Sequence, residues 1–348
     1  MQIKTNNINT IRTIKTLDGH TEGEPLRIVI SGYPEIKGAS MLEKRQYVSD
    51  NFDQYRQFLM YEPRGHADMY GAILTEPCSK DAMFGILFMH NEGYSSMCGH
   101  AIIASVSMLI ETDTIAMPKP GQCIKIDTPA GLISAYAYHD EQQKLKVSFD
   151  NVPAFVEALA QTITVADIGK VNYDIAFGGA YYAFVDADEL GISCSRNNTA
   201  QLIDFGRKIK LAIIARDTLN THNSINHPEA KDLSFLYGVI FHSGDTISAE
   251  AHSKHVCIFA DGELDRSPTG TGVSARAALL QAKEGLNLDQ TIIESIVGGK
   301  MTVEIVQQCQ YYDKSAVIPR VSGQAFITGI HEFVLTPDDI FKNGFLLR

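Results

Sequence analysis

The sequence predicts an α/β protein of the α+β type with two similar domains, and three observations support this prediction. The chain has 348 residues, which suits two domains better than one hydrophobic core. Short runs rich in β-branched and aromatic residues are bounded by turn residues, as strands are, and only a few segments look helical. Two of those helical segments begin 171 residues apart, about half the chain length, with similar sequences.

The strand predictions rest on apolar, β-branched or aromatic runs that end at glycine, proline or polar clusters. These runs are 27–30, 71–74, 84–88, 144–149, 180–185, 237–241, 256–259 and 301–306. A charged segment at 199–215 predicts a helix that covers the protein with a solvated face.

The two helices that suggest an internal duplication are predicted from about residue 98 to 110 and from about 270 to 282. The first is apolar or small nearly all round, as a helix buried in a core should be. The second begins with small residues, which permit close packing. Cys98-Gly99-His100-Ala101 aligns with Thr269-Gly270-Thr271-Gly272, and each tetrapeptide follows a strand and a loop. A duplication would present two helix N-termini to one shared cleft.

Charge and cysteine content exclude several classes of partner. The net charge of −11 argues against nucleic acid and against an anionic membrane, since both need a basic face. The N-terminal residues contain no apolar segment, so a secretory signal is not predicted. The apolar stretch at 101–110 is too short to span a bilayer. The six cysteines form no C-x-x-C pair. We therefore expect a cytoplasmic protein with reduced thiols.

Cys98 is the first candidate catalytic residue. A helix N-terminus offers unpaired backbone N–H groups and a partial positive charge, which favour both a bound carboxylate and a thiolate. We therefore expect the pKa of this thiol to be lowered. A thiolate beside a carboxylate site suits proton abstraction α to the carboxylate. The alternative is a buried cysteine that only packs, which is the common role of a free cysteine.

Two other patterns suggest cofactors, but the sequence supports neither. Residues 270–275 fit the dinucleotide pattern G-x-G-x-x-A, yet the polar segment 262–268 separates them from the preceding strand. His252 and His255 could ligate a metal, but no third ligand lies nearby in the sequence. We predict both to be surface loop residues, and we predict the same for three further histidines, His222, His227 and His242. No metal or organic cofactor is expected.

Four segments together resemble the proline racemase family over nearly the whole chain. They are Asp18-Gly19-His20-Thr21-Glu22-Gly23-Glu24-Pro25, Glu62-Pro63-Arg64-Gly65-His66-Ala67-Asp68-Met69, Met97-Cys98-Gly99-His100 and Asp265-Arg266-Ser267-Pro268-Thr269-Gly270-Thr271-Gly272. The resemblance implies a fold like that of diaminopimelate epimerase. In this fold each of two domains wraps a β-sheet round a central helix, and the active site lies in the cleft between them. We predict domains at 1–155, with 331–348 as a possible completion, and at 156–330.

The resemblance also implies the reaction. In the racemases and epimerases of this family, two cysteines flank the substrate Cα. The first matches Cys98, whereas the second falls at Thr269, whose hydroxyl has no accessible anion near neutral pH. Cysteine followed by threonine is similar to the branch of trans-3-hydroxy-L-proline dehydratases. We therefore expect elimination of water from that substrate. The alternatives are residual racemase or 4-hydroxyproline epimerase activity, and an inactive protein that binds proline analogues.

The remaining site residues are implied by the resemblance alone. Backbone N–H groups of Gly99, His100, Gly270 and Thr271 should bind the carboxylate, Asp265 should bind the ring nitrogen, and Thr269 could hydrogen-bond the substrate or a water. Ala101 and Val273 depart from residues common in the family, and we expect no functional effect. A homodimer is possible.

Overall fold

The computed structural model describes residues 8–219, 225–229, 231–285 and 290–347. These residues form four α-helices: α1 (Met41–Met60), α2 (Gly99–Glu111), α3 (Thr199–Leu219) and α4 (Gly270–Glu284). They also form two short 3₁₀ helices, Arg196–Asn198 and Lys231–Leu233. The strands are β1 (Arg12–Thr21), β2 (Glu24–Ser31), β3 (Tyr70–Thr75), β4 (Phe84–His90), β5 (Ile124–Thr128), β6 (Gly131–His139), β7 (Leu145–Asp150), β8 (Ala154–Val165), β9 (Gly169–Phe177), β10 (Tyr181–Asp186), β11 (Leu236–Ser243), β12 (Ser253–Phe259), β13 (Glu263–Leu264), β14 (Thr291–Ser295), β15 (Lys300–Tyr311), β16 (Lys314–Gly323) and β17 (Ala325–Leu335).

The two halves of the chain repeat one pattern of strand pairing. In the first half, β1 and β2 are antiparallel, β2 and β3 parallel, β3 and β4 antiparallel, and β4 and β5 parallel, followed by the antiparallel strands β5, β6 and β7. In the second half, β9, β10, β11, β12, β14, β15 and β16 pair in the same order and directions. Helices α1 and α3 occupy equivalent places in the two halves, and so do α2 and α4. The structure therefore contains the internal repeat that the aligned helix starts predicted.

The two halves exchange their last strands. β8 follows the first repeat but pairs with β9 of the second, and β17 follows the second repeat but pairs with β1 of the first. β16 also pairs with both β7 and β8, which joins the two sheets. The predicted division between residues 155 and 156 falls within β8, and the predicted completion at 331–348 overlaps the later part of β17. The domain boundaries themselves stay a prediction.

Each sheet curls round one helix, and these two helices occupy the core. In α2 every residue from Gly99 to Leu109 is buried, and in α4 every residue from Gly270 to Leu280 is buried. The all-round apolar character predicted for the first helix is therefore confirmed. Six of the eight predicted strand segments lie wholly within strands, and the segments 144–149 and 180–185 each begin one residue before β7 and β10; the charged segment at 199–215 lies in α3. The predicted fold class, a mixed α/β protein with few helices, is confirmed.

Helix α1 was not predicted, although its start carries a recognisable signal. Ser40 is the N-cap residue and its Oγ accepts from the backbone N–H of Glu43 at 3.2 Å, while the Glu43 carboxylate accepts from the N–H of Ala39 at 2.6 Å. Ser-x-x-Glu is the pattern of a capping box. Val48, Phe52, Tyr55 and Leu59 also recur at helical spacing, and Phe52 and Tyr55 pack against the core although they are only partly buried. Many polar and charged residues lie between them, which weakens the apolar signal of this segment.

The prediction that the histidines lie in surface loops is wrong for three of them. His255 is fully buried in β12, His242 lies in β11, and His227 is buried. Every residue of β12 is buried, so both faces of this strand are covered and His255 has no exposed face to occupy, whereas His242 is only partly buried and His227 lies in a loop that packs inward. His252 is exposed as predicted, and His222 lies outside the described residues. No helix in the described ranges is both long and apolar enough to cross a membrane.

The Ser40 cap provides a test of the α1 assignment. We expect Ser40→Ala to lower the free energy of unfolding in urea by about 1 kcal/mol, because it removes the acceptor for an orphan N–H group. Ser49→Ala, at an exposed position in the same helix, is the matched control and should be neutral or slightly stabilising. Equal losses in the two variants would contradict the cap.

Candidate active site

The N-termini of α2 and α4 meet at the centre of the molecule. Cys98 is the residue before α2 and Thr269 the residue before α4. A Cβ added to Gly270 would lie 3.0 Å from the Cα of Gly99, so the two backbones approach as closely as glycine permits. A Cβ on Gly99 would also lie 2.8 Å from the Phe149 ring. The two aligned tetrapeptides thus face each other.

This contact concentrates unpaired backbone donors. The first intrahelical bonds run from Ile102 N–H to the Cys98 carbonyl at 3.1 Å and from Val273 N–H to the Thr269 carbonyl at 2.7 Å. The preceding N–H groups of both helices therefore have no carbonyl partner within their helix. Two positive helix ends that point at one place form a site for a carboxylate.

The prediction that the helix terminus lowers the pKa of Cys98 is wrong. Cys98 is buried, and burial raises the pKa of its thiol well above the ordinary value, because the thiolate loses its hydration. The backbone N–H of Ala101 and the hydroxyl of Tyr70 favour the thiolate, while the carboxyl groups of Asp265 and Glu24 disfavour it. These two hydrogen-bond donors do not outweigh burial.

The His100 imidazole is a neighbour of the thiol that sequence reasoning missed. Its Nδ1 lies 3.1 Å from the Cys98 Sγ, and the hydroxyl of Thr21 donates to its backbone carbonyl at 2.7 Å. Burial lowers the pKa of His100, so the ring is neutral near neutral pH. The sequence predicted only a backbone contact for His100, because a Cys-Gly-His spacing does not reveal which way the ring turns.

Thr269 takes an unusual conformation opposite Cys98. Its φ is 71°, a region that a β-branched residue rarely adopts, so the backbone here is strained. The Thr269 Oγ1 is buried, and the hydroxyl favours the thiolate form of the neighbouring Cys257. A strained residue with its hydroxyl beside the two helix ends is placed to contact a ligand.

Asp265 lies on the loop that precedes α4. Its backbone N–H donates to the Cys257 carbonyl at 3.1 Å, and its Oδ1 accepts from the N–H of Ser267 at 2.7 Å. The residue is buried, with 5% of its surface exposed. These bonds fix a carboxylate inside the molecule, where it can pair with a buried cation.

One small cavity brings together all seven residues predicted for the site. Cys98, Gly99 and His100 line it from the first half, and Asp265, Thr269, Gly270 and Thr271 line it from the second. The rest of its wall was not predicted and consists of Tyr70, Met97, Tyr182, Tyr237 and Phe259. The Tyr182 and Thr271 hydroxyls are 2.7 Å apart, which ties α4 to β10. These wall residues lie on or beside strands predicted for other reasons, and no local motif distinguishes them.

The chain belongs to the proline racemase family, whose model matches residues 16–346. A protein of Shewanella pealeana is 60% identical, covering 96% of this chain and 95% of its own length. A relative from Colwellia psychrerythraea named trans-3-hydroxy-L-proline dehydratase is 48% identical, covering 97% of this chain and 93% of its own. A human protein of the same name is 42% identical, covering 96% and 95%.

Solved structures show the same fold. A crystal structure of a hydroxyproline epimerase from Agrobacterium vitis with bound trans-4-OH-L-proline has a TM-score of 0.86 at 28% identity, covering 98% of this chain and 96% of that one. A phenazine biosynthesis protein of the PhzF family from Bacillus anthracis has a TM-score of 0.59 at 13% identity, covering 93% and 99%, which is a likeness of fold alone.

The contact between the two glycines predicts a sharp effect of one added methyl group. We expect Gly99→Ala to separate the helix ends and to abolish binding of pyrrole-2-carboxylate in calorimetry. Overpacking of this kind destabilises by about 1–3 kcal/mol. Gly244→Ala, at an exposed glycine whose added Cβ would come no closer than 3.8 Å to another residue, should bind as the wild type does. Unchanged binding by Gly99→Ala would contradict the role of the contact.

Proposed function

We propose that this protein is a cofactor-independent trans-3-hydroxy-L-proline dehydratase, a hydro-lyase. The observation that carries the proposal is the pair of residues at the two abutting helix ends. The thiol of Cys98 lies at one end and the hydroxyl of Thr269 at the other, where a two-base racemase would need a second thiol. Full-length relatives that bear this name support it.

The substrate is a zwitterion, and the cavity has a counterpart for each of its charges. The carboxylate lies at the helix ends, where the N–H groups of Gly99, His100, Gly270 and Thr271 donate to it. The positive ring nitrogen pairs with the buried carboxylate of Asp265. This pose holds Cα between Cys98 and Thr269. Hydrogen bonds to the carboxylate also stabilise the charge that develops when Cα loses its proton.

In the proposed reaction, the proton that Cys98 removes from Cα is transferred to the departing hydroxide, which leaves as water. In trans-3-hydroxy-L-proline the carboxylate and hydroxyl are on opposite faces of the ring, so the Cα hydrogen and the hydroxyl share one face. The Cys98 thiolate takes the Cα proton and becomes a thiol. The C3–O bond then breaks, the electron pair left on Cα forms the C2–C3 double bond, and the thiol protonates the departing hydroxide. Water and an enamine result, the thiolate is restored, and the enamine tautomerises to Δ1-pyrroline-2-carboxylate.

The buried thiol must ionise when substrate is bound. The His100 Nδ1, 3.1 Å from Sγ, is placed to accept the thiol proton, and the cationic ring nitrogen of the substrate favours the thiolate by its charge. Thr269 cannot act as a mirror-image base, and its buried Oγ1 instead hydrogen-bonds the substrate. Elimination from one face needs only one base, whereas inversion at Cα needs two.

The central test is product formation from trans-3-hydroxy-L-proline. Wild type should produce Δ1-pyrroline-2-carboxylate, and Cys98→Ser should reduce kcat by about 10²–10⁴-fold, the usual contribution of a general base. Cys78→Ser, at an exposed cysteine, is the matched control and should keep full activity. Absence of the pyrroline with wild type, despite binding of pyrrole-2-carboxylate, would indicate an inactive binding protein. Full activity in Cys98→Ser would refute the role of the thiol.

Replacing Thr269 tests why one thiol favours elimination. We expect Thr269→Cys to convert L-proline to D-proline in D₂O with deuterium at Cα, because a thiol then stands on each face. Thr269→Ser keeps a hydroxyl and should give no D-proline. Formation of D-proline, or inversion of 4-hydroxyproline, by the wild type would favour a racemase or epimerase instead. Chiral chromatography with mass detection distinguishes these outcomes.

The cytoplasm is the compartment that suits this reaction, because the base must remain a reduced thiol. All six cysteines are free in the structure. All seven proposed site residues line one cavity of a single chain. The chain could still form a homodimer, which stays a prediction.

A further inference from the structure

Glu24 is a fully buried acid that the mechanism above does not use. It is the first residue of β2, in the first half of the chain, and none of its surface is exposed. Its Oε2 accepts from the backbone N–H of Arg266 at 2.6 Å. Its Oε1 is also buried and has no hydrogen-bond partner in the described ranges. A buried oxygen without a partner is costly and calls for an explanation.

The groups round Glu24 include few positive charges. Arg266 is the nearby cation, but its guanidinium pairs with Asp68 at 2.9 Å and donates to the Leu264 carbonyl at 2.8 Å. The negative charges that raise the pKa of Glu24 are those of Asp265 and, more weakly, Asp68. The charge of Glu24 in turn raises the pKa of the Cys98 and Cys257 thiols. Burial raises the pKa of Glu24 well above its ordinary value, and the charge of Asp265 raises it further, while the charge and the backbone N–H of Arg266 offset only part of this rise.

We propose that Glu24 is a neutral carboxylic acid that positions Asp265. Its Oε1 carries the proton and donates it in a hydrogen bond to the free oxygen of the Asp265 carboxylate, while Oε2 keeps the Arg266 N–H. Asp265 directly precedes Arg266, whose backbone N–H lies 2.6 Å from Oε2, and it is the charged group that acts most strongly on Glu24, so it is the partner that this assignment gives to Oε1. The Asp265 Oδ1 already accepts from Ser267, so the donor from Glu24 fixes the second oxygen and hence the direction of the carboxylate.

A neutral Glu24 also matches the charge of the site to its substrate. The inference rests on the proposed function for the contact between Asp265 and the ring nitrogen. One positive nitrogen then meets one negative carboxylate. A second ionised acid would leave an uncompensated buried charge and would oppose the Cys98 thiolate. Glu24 therefore acts through Asp265 and does not touch the substrate.

Substitutions that keep or remove the donor test this role. Glu24→Gln replaces the acid with a neutral amide of the same shape that can accept from Arg266 and donate to Asp265, so its kcat/KM should stay within about threefold of wild type. Glu24→Ala leaves the Asp265 carboxylate without this donor. It should raise KM about ten- to a hundredfold, with a smaller change in kcat. If Glu24→Gln is impaired as severely as Glu24→Ala while both remain folded, Glu24 is not a neutral donor.

Infrared difference spectra test the protonation state without any turnover. At neutral pH, wild type minus Glu24→Gln should show the carbonyl stretch of one protonated carboxylic acid. Glu22→Gln is the matched control, because the Glu22 carboxylate accepts from the N–H groups of Lys300 at 3.0 Å and Gln324 at 2.9 Å and should contribute no such band. A carboxylate band in place of the acid band for Glu24 would overturn the proposal.

The outcomes separate the two proposals. If trans-3-hydroxy-L-proline gives no product, the proposed function fails, but the infrared band still decides the state of Glu24. Weaker binding of pyrrole-2-carboxylate to Glu24→Ala than to Glu24→Gln then reports its effect on Asp265. If both variants bind this probe as wild type does, the positioning role is refuted even where the acid band is present.

Discussion

The contact between two helix N-termini, at Gly99 and Gly270, is the constraint on which the rest of the structure depends. Each helix is wrapped by its own sheet, and the exchanged strands β8 and β17 join the halves so that these ends abut. Only glycine permits this approach, since a Cβ at either position would collide with the other backbone. The contact places two sets of unpaired N–H groups, one thiol and one hydroxyl round a single small cavity.

Burial governs the chemistry of this cavity more than the helix dipoles do. Loss of hydration raises the pKa of Cys98, lowers that of His100 and raises that of Glu24, so burial favours the neutral form of each of these groups. The proposed substrate is a zwitterion and brings charges of both signs into the cavity. In the proposed reaction the ionised state of the thiol therefore arises with binding, where it is needed.

In the proposed mechanism, one side chain separates two reactions on a shared fold. The paired strands of the two halves match in order and direction, and the two central helices start at equivalent places, one after Cys98 and the other after Thr269. A symmetrical pair of thiols suits inversion at Cα. A thiol opposite a hydroxyl keeps the binding site for the carboxylate but leaves a base on one face only.

The sequence by itself determined the fold class, the two central helices and the residues that start them, because apolar runs and helix-start motifs are local signals. It did not reveal α1, whose apolar residues lie among many polar ones, or the burial of His255, which depends on what covers both faces of a strand. The seven predicted site residues lie together, but the tertiary structure alone added the Tyr70, Tyr182 and Tyr237 wall, the His100 ring beside the thiol and the burial of Glu24. Apart from the contact of His100 with Cys98, these features bring together residues far apart in the chain, and the pKa of Cys98 follows from how completely they exclude water. A local motif places a thiol at a helix end, but only packing decides its charge.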